Sequence, residues 1–68
     1  MKVFVNRKEI AIFTGARVID ALRNYSLRSA GLVVKGIYTV YDRYGNITEP
    51  DGRLTDGQIL TIRKTKKP

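Results

Sequence analysis

Residues 17–25, Arg17-Val18-Ile19-Asp20-Ala21-Leu22-Arg23-Asn24-Tyr25, carry one apolar stripe at helical spacing. Val18, Leu22 and Tyr25 share a face that Ile19 and Ala21 widen, while Arg17, Asp20, Arg23 and Asn24 fall toward water. A single amphipathic helix of this length is not stable alone, so its stripe needs a sheet to lie on. The chain has 68 residues, and at that size every apolar position is needed for burial before it is free to serve a site.

The sheet is legible on both sides of the helix. Lys2 to Asn6 alternates, with Val3 and Val5 on one face and Lys2, Phe4 and Asn6 on the other, as in a half-buried strand. Arg7-Lys8 connects it to Glu9-Ile10-Ala11-Ile12-Phe13, where Ile10 and Ile12 pair to one side. Two such runs so close together predict an antiparallel hairpin, with Asn6 able to take the positive φ of a tight turn. Thr14-Gly15-Ala16 turns the chain into the helix. Arg17 occupies the place where Ser, Thr, Asp or Asn would cap it, a local conflict.

After Tyr25, Ser26 caps a second helical piece in which Leu27, Ala30 and Val34 share a face and Gly36 follows Lys35 as the terminating residue. Gly31 and the β-branched pair Val33-Val34 count against that helix, and a loop with one helical turn is the alternative. Ile37-Tyr38-Thr39-Val40-Tyr41-Asp42 is dense in β-branched and aromatic residues and predicts a strand. Arg43-Tyr44-Gly45-Asn46 makes a turn, and Ile47-Thr48 returns as a short strand. Glu49-Pro50-Asp51-Gly52-Arg53 is turn chemistry, Leu54 plugs the core, Thr55-Asp56-Gly57-Gln58 turns again, and Ile59-Leu60-Thr61-Ile62-Arg63 is the last strand with Leu60 and Ile62 inward.

The expected architecture is one α+β domain over residues 1–64, with a basic, mobile tail at 65–68. A mixed sheet of four to five strands carries one main helix on one face, and a right-handed crossover sets the last strand parallel beside the first. Gly15-Ala16-Arg17-Val18-Ile19-Asp20-Ala21-Leu22 is similar to the G-A-T-V-x-D-x-L helix start of the small sulfur-carrier proteins of thiamine and molybdopterin synthesis. Leu54-Thr55-Asp56-Gly57-Gln58-Ile59-Leu60-Thr61-Ile62 resembles the L-x-D-G-D-x-L-x-I ending shared by those carriers and by TGS domains. The resemblance covers nearly the whole chain and implies a β-grasp, ubiquitin-like fold. Sulfur carriers act through a flexible C-terminal Gly-Gly. Here the last glycine is Gly57, so a degenerate carrier is the form in which that function is carried over.

Without Cys or His, the chain has no thiol nucleophile, disulfide, imidazole base or thiolate metal site. Asp42, Glu49, Asp51 and Asp56 sit in turns, where Asp51-Gly52 and Asp56-Gly57 are best explained by side chains bonding their own backbone. No enzymatic activity, cofactor or metal is expected. No apolar run reaches membrane-spanning length, and a monomeric cytoplasmic domain is expected.

Thirteen Lys and Arg against six Asp and Glu leave a net charge of +7, suited to an acidic protein face or to nucleic acid. Alternation puts Phe4 away from the helix, sharing an open face with Thr61 and Arg63 and with Lys2 nearby, an exposed aromatic ringed by cations. Lys64, Lys66 and Lys67 are further candidates for contact with an anionic partner. Tyr38, Tyr41 and Tyr44 beside Arg43 form a stacking platform in one reading and pack the core in the other. The leading expectation is a protein-interaction module, free-standing or at the start of a larger protein. The alternative is an RNA-binding accessory domain of TGS type.

Overall fold

A computed structural model describes residues 1–66. It is α+β: strands β1 (Lys2–Val5) and β2 (Lys8–Ala11), helices α1 (Val18–Tyr25) and α2 (Leu27–Val34), then strands β3 (Tyr38–Tyr41) and β4 (Ile59–Lys64). The four strands form one mixed sheet in the order β2-β1-β4-β3. The central pair is parallel, with Phe4 opposite Ile59 and Val5 opposite Leu60, and both outer pairs are antiparallel. No helix among the described residues is long and apolar enough to cross a membrane.

The hairpin turn falls one residue earlier than the sequence reading places it. Asn6 and Arg7, with φ of 49° and 71°, are its two central residues, and Lys8 already pairs with Val5. Two positive φ values are what a type I′ turn requires, and that turn matches the strands' right-handed twist. Asn6 continues the central pairing beyond β1: its N–H donates to Leu60 O at 3.0 Å, and its Oδ1 accepts from Ile62 N at 2.8 Å.

The conflict at Arg17 is resolved by a loop distant in sequence. Val18 N–H donates to Gly52 O at 2.9 Å and Ile19 N–H to Pro50 O at 2.8 Å, so the first helical donors are satisfied by backbone carbonyls. Arg17 Nη1 donates to Asp51 O at 2.6 Å, and the Asp20 carboxylate accepts from Arg17 N at 2.9 Å. The 49–53 segment therefore acts as the cap.

The second helical piece is a full helix, which corrects the expectation of one main helix. Ser26 Oγ accepts from Ser29 N at 3.2 Å as its cap, and Gly36 follows at φ 81°. Its buried residues are Ala30 and Val33, whereas Leu27 and Val34 face solvent. Of the four to five strands expected, the described residues form four: Ile47 makes a single bridge to Tyr41, and the 42–46 turn holds it.

Both helices pack on one face. Val3, Val5, Val18, Ala21, Leu22 and Leu60 are fully buried there, with Ile10, Ala30, Val33, Val40 and Leu54 around them. Ile19, Tyr25, Tyr38 and Ile62 close the margin of this core. The other face of the sheet carries no helix among the described residues.

Candidate interaction face on the open side of the sheet

Register assigns the residues of this face. Phe4 lies opposite Glu9 on one side and Ile59 on the other, Lys2 opposite Ala11, Tyr41 opposite Thr61 and Thr39 opposite Arg63. Lys2, Phe4, Thr61 and Arg63 thus share one surface, the four residues that alternation nominates. Phe4, Ile59, Thr61 and Tyr41 are half-buried, and Lys2, Glu9 and Arg63 are exposed. The face has a flat apolar centre with charge at its rim.

Lys2 is less free than the sequence implies. Its Nζ lies 3.9 Å from the Glu9 carboxylate, the one ion pair among the described residues. Its backbone N–H donates to Asp56 Oδ1 at 2.8 Å and its carbonyl accepts from Gly57 N at 2.6 Å. The Asp56 carboxylate therefore anchors the start of β1 and does not bond its own turn. The acid that does close its own turn is Asp42, whose Oδ1 accepts from Tyr44 N at 2.8 Å and Asn46 N at 3.0 Å.

The tyrosines do not form one platform. Tyr38 pairs with Lys64 and packs against the core, Tyr41 lies on the open face, and Tyr44 is exposed with the Arg43 guanidinium 5.9 Å from its ring centre. Arg43 over Tyr44 is a cation–π geometry, so one side of that ring is already engaged.

At the β3–β4 end the face deepens into an open hollow of about 480 Å³, lined by Tyr41, Ile59, Arg43, Arg63, Lys64 and Lys66 among others. Lys64 belongs to β4, and Lys66 follows Thr65, whose N–H donates to Ile37 O at 2.9 Å and whose hydroxyl meets that of Thr39 at 2.7 Å. Lys67 and the end of the tail lie outside the described residues. Ile59 is the site residue that sequence reasoning missed, and Tyr41 and Arg43, singled out there only as a stacking platform with Tyr38 and Tyr44, belong to this face instead. Ile59 was within reach, since it alternates with Thr61 and Arg63. Arg43 was not, because only the folded 42–46 turn carries it there.

No family model matches this chain, and neither a curated protein nor a solved structure matches it.

Proposed function

We propose that this chain is a non-catalytic β-grasp, ubiquitin-like interaction module whose open sheet face docks a protein partner. Support for the fold reading comes from the element order and from the parallel central pair of first and last strands, with helices on one side only. The function reading rests on one observation: Phe4, Ile59, Tyr41 and Thr61 form an uncovered apolar centre rimmed by Lys2 and Arg63. A half-buried aromatic inside a charged rim is the composition of a docking surface, where an anchor supplies affinity and the rim supplies orientation.

A photo-crosslinking side chain at Thr61, compared with one at Arg28 on α2, tests this in extracts of the source cells. A partner captured from position 61, lost with Phe4→Ala and not captured from position 28, supports the reading. Capture indifferent to Phe4, or only from position 28, overturns it.

An RNA-binding accessory role is the second reading, favoured by the convergence of Arg43, Arg63 and Lys66 on one hollow. Binding to single-stranded RNA that weakens steeply with added salt would replace the first reading with this one. Absence of binding near physiological salt removes it.

A further inference from the structure

We infer that the hollow at the β3–β4 end of the open face is a binding site for a carboxylate-rich peptide segment, which deepens the docking reading and rests on it. Three cations line this hollow, Arg43, Arg63 and Lys66, and none of them has an ion-pair partner among the described residues; Lys64 borders it too but, opposite Tyr38, alternates to the helix side. The acids of this side of the sheet already have partners. Asp42 lines the same hollow, but its Oδ1 accepts two backbone N–H groups of its own turn, while Glu9 is turned to Lys2 and Asp56 to the Lys2 N–H. The Asp42 carboxylate offsets one positive charge of the lining, and the excess that remains is what an anionic guest neutralises as it binds.

The walls select among anions. Tyr41, Ile59 and Thr61 give the hollow an apolar floor continuous with Phe4, and an extended peptide matches this by alternating carboxylate and aliphatic side chains at a period of two. A nucleic acid asks for something else: a cationic track to follow the backbone and open aromatic faces on which to stack. The cations here converge on one end of the face. Of the aromatics, Phe4 and Tyr41 are half-buried and Tyr44 is partnered by Arg43. The outer edge of β3 is also occupied, since Val40 O accepts from Thr48 N at 2.8 Å, so the guest lies across the face and does not extend the sheet.

The test is a titration of the isotope-labelled chain, followed by amide shifts, with decaglutamate, decaglutamine, decauridylate and inorganic phosphate. Saturable shifts at Tyr41, Arg43, Thr61, Arg63 and Lys66 with decaglutamate, and none with decaglutamine, are expected. The double variant Arg43→Glu with Arg63→Glu should lower that affinity by about tenfold or more. Lys8→Glu with Arg28→Glu makes the same change in net charge far from the hollow and should alter the affinity by less than about threefold, since remote exposed charges are screened. Equal losses in the two variants would mean that net charge alone binds the peptide, and the inference falls. It falls also if decaglutamate gives no shift at these amides up to millimolar concentration, or if decauridylate or phosphate binds there more tightly. Should it fall while Phe4-dependent crosslinking from position 61 persists, the open face still docks a protein and only the hollow is wrong.

Discussion

The side chain of Asn6 accepts the backbone N–H of Ile62 at 2.8 Å across 56 residues of sequence. The same residue holds φ 49° in the hairpin turn, donates its own N–H to Leu60 O, and places its amide 3.5 Å from the Tyr25 hydroxyl. One short side chain therefore ties the hairpin to the last strand and reaches toward the end of α1. Replacement by Ala removes the acceptor and puts at this left-handed position a residue that tolerates it less well than Asn, at a combined cost of about 1–2 kcal/mol. Asn6→Gly keeps the backbone freedom and loses only the bond, about 1 kcal/mol. Urea unfolding of the two variants checks both values. Equal stability of wild type and Asn6→Ala would refute the role assigned to this contact.

Arg7 occupies the second positive-φ position of that turn at 71°, where its Cβ is unwelcome. Arg7→Gly should raise stability by about 0.5–1 kcal/mol, because Asn-Gly is the preferred pair for this turn type. A fall in the urea midpoint would show that the Arg7 side chain contributes more than its strain costs.

The loop that caps α1 makes Gly52 sensitive. A Cβ there would lie 3.1 Å from Glu49 O, a backbone atom that must give by a few tenths of an ångström inside the loop that caps α1. Gly52→Ala should destabilise by about 1–2 kcal/mol, the range of losing a helix cap. Hydrogen exchange gives the sharper reading: the amides of Val18 and Ile19 should lose protection ahead of the rest of α1. If their protection is unchanged, the loop is not the cap.

Leu22 and Leu27 separate the two helices by burial. Leu22 is fully enclosed, and Leu22→Ala should cost about 2–5 kcal/mol, enough to unfold much of a domain this small. Leu27 is 76% exposed, and Leu27→Ala should stay within about 0.5 kcal/mol. A large loss at Leu27 would mean that the outward face of α2 is covered in solution.

Phe4→Ala should cost about 1–2 kcal/mol, less than the roughly 3–5 kcal/mol of a core phenylalanine, because the ring is half-buried on the uncovered face. Circular dichroism showing an unfolded Phe4→Ala variant would make Phe4 a core residue and remove the proposed docking centre.

Elements set by local alternation were legible. Val3, Val5, Ile10, Leu60 and the Val18–Leu22 stripe go where their spacing sends them, and Gly36, Gly45 and Gly57 turn at positive φ. What failed depended on partners remote in sequence. Nothing near Arg17 reveals that Pro50 and Gly52 will satisfy the donors of α1. The inward face of α2 is Ala30 and Val33, not Leu27 and Val34, because packing against α1 and β3 fixes the rotation of a short helix whose apolar residues nearly encircle it. Ile47-Thr48 has strand composition but too few residues to extend beyond one bridge. On the open face, alternation found Phe4, Thr61 and Arg63. It missed Arg43, whose position is set by the bonds of Asp42 to its own turn.

With the first and last strands as the middle pair of the sheet, the inner ladder joins residues separated by most of the chain. A ribosome making this polypeptide must release Ile59–Lys64 before Phe4 and Val5 have a neighbour on their second side. Until then the hairpin and both helices lack the strand that unites them. Pairing of β1 with β4 therefore waits on closure of the loop that runs from Val5 to Ile59.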